Sequence, residues 1–210
     1  GDIYLSKNFT SSRTFSKDIR LTITNEYEYS PLIRGNYVIF RHSGNYFITR
    51  HDRKFNEAAL TKDESDSISY QVIALEETPA SANTVLRVLF SRYNNSKEGE
   101  YLFPDYTGEF VTARKNKRGI PETNLIELGI SLINGDSLYV SSVNEIKYPT
   151  GKKYLTIYSD YSPDASLIVL DAETVDRHTR KLFLYNTLQK SLSEIYTETD
   201  NAWFERHDNP

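Results

Sequence analysis

The run Lys153 to Tyr158 and the aspartate that follows it at 171 are where this chain's residue types could do chemistry. Strand alternation along 153–158 places Tyr154, Thr156 and Tyr158 on one face, with Leu155 and Ile157 on the other. Aliphatic residues would then face another layer. The Tyr/Thr face either lines a cavity or stands as plain sheet surface. Asp171 ends the apolar run Ser166 to Leu170. It is read there as the N-cap of a helix starting at Ala172, or as a carboxylate touching a ligand.

Other chemistries find little support. The histidines are His42, His51, His178 and His207, with no HExxH, no close pair and no calcium-loop pattern, so no metal site is expected. If Gly44-Asn45 close their hairpin, His42 pairs with Phe47 and His51 lies opposite Val38. GxSxG, P-loop and dinucleotide fingerprints are absent, and neither a catalytic residue nor a cofactor is expected. Carboxylates cluster at Glu76-Glu77 and from Asp63 to Asp66, yet a glycosidase pair must face across a cleft, which a sequence does not display.

Composition narrows the class further. The 210 residues suffice for one large domain or two small ones, and tyrosine is abundant at 16, a side chain suited to half-buried strands and pockets. A net charge of −4 and the single short basic run Arg114 to Arg118, read as a solvated loop, argue against nucleic acid. No window approaches ~18 consecutive apolar residues, so no span of a membrane is expected. With no signal peptide, a chain opening Gly1-Asp2-Ile3 reads as cut from something longer. Cysteine is absent, which rules out disulfides and thiolate chemistry and fits a bacterial extracytoplasmic domain.

The elements that must position these residues follow from periodicity. Asp18 to Thr24 alternates as a half-buried strand, and Asn36 to Arg50 reads as a hairpin turning at Ser43-Gly44-Asn45. Phe55 to Leu60 reads as a small helical core. Ser69 to Leu75 and Val85 to Tyr93 form a second hairpin, and Tyr101 to Phe103 and Glu109 to Ala113 are short strands. Asn124 to Ile133 has near-helical spacing, stopped by Asn134-Gly135. Three strands follow at 137–143, 153–158 and 166–170, parted by Pro149-Thr150-Gly151 and Ser162-Pro163-Asp164. Val175, Leu182, Tyr185, Leu188, Leu192 and Ile195 then fall at spacings of three, four and seven, which predicts an amphipathic helix from Ala172 to Tyr196. The predicted class is α+β: a mainly antiparallel sheet with a long C-terminal helix. A β-rich part over 1–120 precedes a core meander and helix over 121–210.

The order helix, Gly-Asp-Ser-Leu-Tyr-Val-Ser-Ser (135–142), Pro-Thr-Gly-Lys-Lys (149–153), Tyr-Leu-Thr-Ile-Tyr-Ser (154–159) and Ser-Leu-Ile-Val-Leu-Asp (166–171) resembles the extracytoplasmic PAS-like (Cache-type) sensor domains. These serve bacterial sensor kinases, chemoreceptors and diguanylate cyclases. About 50 residues carry the resemblance. Residues 1–30 depart from it, as they do not read as the family's long opening helix. The resemblance implies a domain that binds a small molecule and performs no chemistry. Tyr139, Tyr154, Tyr158 and Asp171 would contact the ligand, the carboxylate pairing with an amine and the hydroxyls fixing orientation. The terminal helix would relay the signal and pair with a second copy as a homodimer. The parent would be anchored in a bacterial inner membrane, with this part on its periplasmic or extracellular face. The rival readings are a secreted or surface carbohydrate-binding or adhesion module, with a shallow Tyr-lined groove, and a hydrolase with converging carboxylates.

Overall fold

The computed structural model describes residues 2–5, 19–22, 27–79, 84–94, 101–105, 112–116, 122–135, 137–150, 153–175 and 177–200. They form three four-stranded antiparallel sheets, and no helix occurs among them. Strands β1 (Tyr4–Leu5) and β2 (Ile19–Arg20) make a short separate pair. The first sheet holds β3 (Tyr29–Arg34), β4 (Tyr37–His42), β5 (Asn45–Arg50) and β6 (Arg53–Ala59). The second begins with β7 (Ile68–Glu77) and β8 (Thr84–Asn94). The hairpin β9 (Tyr101–Asp105) and β10 (Thr112–Asn116) interrupts it. It then resumes with β11 (Glu122–Ile133) and β12 (Ser137–Ile146). The third comprises β13 (Tyr154–Tyr161), β14 (Leu167–Thr174), β15 (Thr179–Asn186) and β16 (Ser191–Thr199). Each sheet is an up-and-down meander in chain order.

The sheets stack face to face. Tyr37, Ile39, Tyr46 and Ile48 of the first sheet pack with Leu86, Val88, Phe90, Leu128 and Ile130 of the second. The second sheet's other face offers Ala74, Leu89, Leu125 and Ile146 to Ile168, Leu170, Ala172, Phe183 and Tyr185 of the third. Its central strands are thus buried on both sides, which explains why their sequences lack clean alternation. The turn before β4 also ties the first two sheets. Gly35 has φ +51, and the Glu77 carboxylate lies where its Cβ would be. The positive φ is what favours glycine at this turn.

Several sequence expectations need correction. The α+β class with a C-terminal helix gives way to an all-β fold. Residues 124–133 are strand β11, and Asn134 (φ 52) and Gly135 (φ 75) turn its hairpin into β12 rather than stop a helix. An apolar run buried on both faces matches helix and strand templates alike, and only the Asn-Gly pair distinguishes them. The stretch 172–196 breaks at Arg177 (φ 59) and Lys190 (φ 54) into the end of β14, β15 and β16. Its three-four-seven spacing is a coincidence across those breaks. Leu182 and Tyr185 lie on opposite faces of β15, and Leu188 is 75% exposed in the following turn. A relay or a dimer carried by that helix therefore has no element to carry it. Residues 53–59 are strand β6 rather than a helical core, and Arg114 to Asn116 end β10 rather than a loop. The hairpin at 36–50 forms, but Ser43 (φ 48) and Gly44 (φ 81) close it, so His42 pairs with Asn45. The strand expected at 18–24 is described only over 19–22, and Trp203-Phe204 lies outside the described residues.

The β13–β14 turn does form at Ser162-Pro163-Asp164. Asp164 Oδ1 accepts from Ser162 Oγ at 2.6 Å, Ser166 Oγ at 2.8 Å and Ser166 N at 3.1 Å. These hydrogen bonds hold its carboxyl down at about 2. A depressed carboxylate contributes stability that is fully present above its unfolded value and is lost as pH falls through the folded one. The Tm advantage of the wild type over Asp164→Asn should therefore be full at pH 5 and shrink between about pH 4 and pH 2. An advantage unchanged down to pH 2 would show that the turn does not use the charge.

Candidate functional site

A connected group of chemistry-bearing side chains sits where the β4–β5 turn of the first sheet meets β7 and β8 of the second. Arg41 and Tyr46 flank the β4–β5 turn, and Tyr70 of β7 lies opposite Arg92 of β8. The connection from β6 to β7 brings Asp63 and Glu64 between them. That connection is pinned: Thr61 Oγ1 donates to Asn45 Oδ1 at 3.1 Å, and Tyr46 N donates to Thr61 Oγ1 at 2.9 Å. Arg41 pairs with Glu64 and donates to the Gly44 carbonyl at 3.0 Å. Its guanidinium stands 5.2 Å from the Tyr29 ring centre and 5.0 Å from that of Tyr46, within cation–π range. Arg92 Nη2 reaches Asp63 Oδ2 at 3.0 Å, and Tyr70 OH donates to Asp63 Oδ1 at 2.5 Å.

The two adjacent carboxylates are driven apart. Burial raises Glu64, only partly offset by Arg41, and its Oε2 is enclosed without a hydrogen-bond partner. Burial acts on Asp63 in the same direction, but the hydrogen bonds from Tyr70 and Arg92 outweigh it and bring the group below its usual range. Burial and the same carboxylate push the Tyr70 phenol up to about 12. Arginines held by carboxylates against tyrosine faces suit recognition by hydrogen bonding and stacking. A nucleophile–base pair is not part of this cluster.

A second polar group is wholly internal, where the second sheet meets the third. Arg87 Nη1 donates to Glu127 Oε1 at 2.5 Å, and Asn144 Nδ2 donates to Glu127 Oε2 at 2.6 Å. Tyr161 faces this pair from β13 with its hydroxyl buried and without a partner, and burial lifts its phenol far above the ordinary value. Burial, then Glu127, raises Tyr185 as well. The pair is largely shielded from solvent, with the Arg87 side chain 10% exposed, and its hydrogen bonds tie three strands of the second sheet together beneath the third.

The residues expected to share a pocket do not converge. Tyr139 is on β12 and 40% exposed, at the sheet edge opposite β7, whereas β13 packs near β7. Tyr154 turns inward, its ring 5.7 Å from Phe183 and 5.3 Å from Tyr148. A bulge at Ile157 reverses the alternation, so Tyr158 lies on the other face from Tyr154, 58% exposed, and donates to Asp160 at 3.1 Å. Only Tyr158 and Asp171 become cross-strand partners. Asp171 caps no helix. It sits within β14 and takes a two-point ion pair from Arg180, with Nε to Oδ1 at 2.9 Å. Sequence reasoning passed over Asp63 and Glu64 as ordinary surface acids and missed Arg41, Arg87, Arg92 and Glu127. Their partners are 23 to 40 residues distant in the chain, and no local pattern joins them. Among the described residues, no group of three or more His, Asp or Glu could hold a metal ion, and no helix is long and apolar enough to cross a membrane.

No protein-family model and no curated protein matches the chain. Solved structures do. Dipeptidyl peptidase 4 of Porphyromonas gingivalis aligns at a TM-score of 0.62 and 12% identity over 89% of this chain and 28% of its own. A putative dipeptidyl aminopeptidase IV of Bacteroides ovatus ATCC 8483 aligns at 0.58 and 14% over 90% and 26%. At such identities the likeness is one of fold, and the chain spans about a quarter of either protein. It overturns the PAS-like, Cache-type resemblance and the signalling role drawn from it: the likeness is to peptidase structures, through an all-β stack.

Proposed function

We propose that this chain is a non-catalytic section of a dipeptidyl-peptidase-type protein, in which stacked sheets form a rigid wall and their rim meets peptide. The observation that carries this reading is the order of the sheets. Three successive four-stranded meanders, packed face to face, are the blade unit of a β-propeller, and they align along nearly the whole chain with two peptidases. The rim cluster of Arg41, Asp63, Glu64, Tyr70 and Arg92 adds support, since it offers hydrogen-bonding groups on rigid elements.

Dipeptide release from a panel of dipeptidyl p-nitroanilides tests the reading. The natural gene product, expressed whole, should release p-nitroaniline with a saturable rate. The 210-residue chain should release none. Turnover by the chain itself would overturn its non-catalytic part, and silence of the whole product across the panel would overturn the peptidase assignment.

A further inference from the structure

Two adjacent residues of one connection, Asp63 and Glu64, each hold an arginine from a different sheet. Asp63 takes Arg92 of the second sheet, and Glu64 takes Arg41 of the first. Neither carboxylate occupies the whole guanidinium. Arg92 commits Nη2 to Asp63 and Nε to Tyr70, and Arg41 commits Nη2 and Nε to Glu64 and the Gly44 carbonyl. Among the described residues no acceptor takes Nη1 of either, and both side chains are 21% exposed. A guanidinium carries five N–H donors in a fixed fork, so each arginine keeps a free donor pair.

The two holders are not alike. The Asp63 side chain is 51% exposed, and both its oxygens are hydrogen-bonded, Oδ1 by Tyr70 and Oδ2 by Arg92. The Glu64 side chain is only 9% exposed, with Oε1 on Arg41 and Oε2 enclosed without a partner. Its backbone is fixed as well, since Glu64 N donates to Asn45 Oδ1 at 3.3 Å. The groups that face it are Arg41 of β4 and Asp63 beside it, with Tyr29 of β3 and Tyr46 of β5 around the guanidinium. Burial is the larger effect and lifts the Glu64 carboxyl, Arg41 offsets part of it, and Asp63 adds to the rise. At Asp63 the bonds from Tyr70 and Arg92 outweigh burial. One carboxylate therefore takes up a proton in mild acid while its neighbour stays ionised.

We infer that Glu64 is a proton-operated holder of Arg41, and that in mild acid this cluster takes peptide through an aspartate or glutamate side chain. At neutral pH two carboxylates balance two guanidinium groups, and an incoming carboxylate meets no net attraction. A proton on Glu64 removes one of those negative charges. Arg41 stays in place, because the Gly44 carbonyl and the rings of Tyr29 and Tyr46 still hold it. Its charge is then uncompensated, and a carboxylate accepts two parallel N–H bonds from such a fork. The direction follows from linkage. A ligand that prefers the protonated site binds more tightly as pH falls through the folded value of Glu64. The inference rests on the proposed contact between these residues and peptide, and adds the charge of the peptide and the pH at which it is held.

The test uses the 210-residue chain labelled with 15N and two end-blocked hexapeptides, one with two aspartates and one with asparagines in their place. Without peptide, the Arg41 Nε–H resonance should move with a single midpoint above the ordinary glutamate range, and should not move in Glu64→Gln. The aspartate peptide should bind at least about fivefold more tightly at pH 5 than at pH 7.5, its carboxylates being mostly ionised at both. The asparagine peptide should bind alike at both. Glu64→Gln should hold the aspartate peptide at pH 7.5 as the wild type does at pH 5. Arg41→Gln should lose the gain in acid, which guards against a Glu64 variant that misfolds. Equal affinities at the two pH values, or a gain in acid shared by the asparagine peptide or kept by Glu64→Gln, would overturn the inference and leave the contact with peptide standing. Binding of neither peptide at any pH would overturn that contact, and the inference with it.

Discussion

Replacing Arg87 by methionine should destabilise the fold by about 3–5 kcal/mol, the usual consequence of removing one partner from a buried ion pair. Glu127 is completely buried, and Arg87 and Asn144 donate to its two oxygens. Without the guanidinium, Asn144 alone answers a full negative charge between two sheets. Loss of Asn144, by Asn144→Ala, removes one hydrogen bond to a charged group and should cost about 1.5–3 kcal/mol. Glu127→Leu should cost less than Arg87→Met, because the arginine side chain retains a 10% exposed edge toward water.

The decisive variant is the double one. Arg87→Met with Glu127→Leu exchanges two charges for apolar volume, and such exchanges are neutral or stabilising as often as not. Urea unfolding of the two single variants and the double should give a coupling energy of several kcal/mol, with the double nearer the wild type than Arg87→Met is. A cost below 1 kcal/mol for Arg87→Met would mean that water reaches Glu127, and that the seam between the second and third sheets is open.

Which parts of the fold can be read from sequence depends on how local their causes are. The hairpin at 36–50 is legible because its turn needs two residues at positive φ, and Ser43-Gly44 supplies them. Asn134-Gly135 carries the same message but follows a strand buried on both faces, where Leu125 to Ile133 has lost the period of two. Helical spacing over 172–196 is an accident of register across two turns, and Arg177 and Lys190, at positive φ, are residue types that give no warning. The site fares worse. A single bulge at Ile157 sends Tyr158 to the face opposite Tyr154, and a bulge is invisible to any pattern of alternation. Arg41–Glu64, Arg92–Asp63 and Arg87–Glu127 are products of sheet order and stacking, which are long-range facts.

Phe183→Ala provides the largest contrast between the two readings of residues 172–196, because a helical stripe and a pair of strands rank its neighbours differently. On β15 the Phe183 ring is fully buried, 5.2 Å from the Tyr148 ring and 5.7 Å from the Tyr154 ring at 85°. Removing it takes away an edge-to-face partner and leaves a cavity in the core shared by the second and third sheets. The expected loss is about 3–5 kcal/mol, or a Tm lower by roughly 6–20 °C for a chain of this length. Leu188→Ala should change stability by less than about 0.5 kcal/mol, since its side chain lies in the turn after β15 with nothing to lose. A buried helical stripe would instead make Leu188 one of the costliest residues to truncate and leave Phe183 off the packed face. Thermal melts of the two variants separate these outcomes, and equal losses, or a larger loss at Leu188, would contradict the β15–β16 hairpin. With Phe183 dominant, Tyr154 is explained as well: its ring belongs to the core that joins the sheets, and not to a ligand.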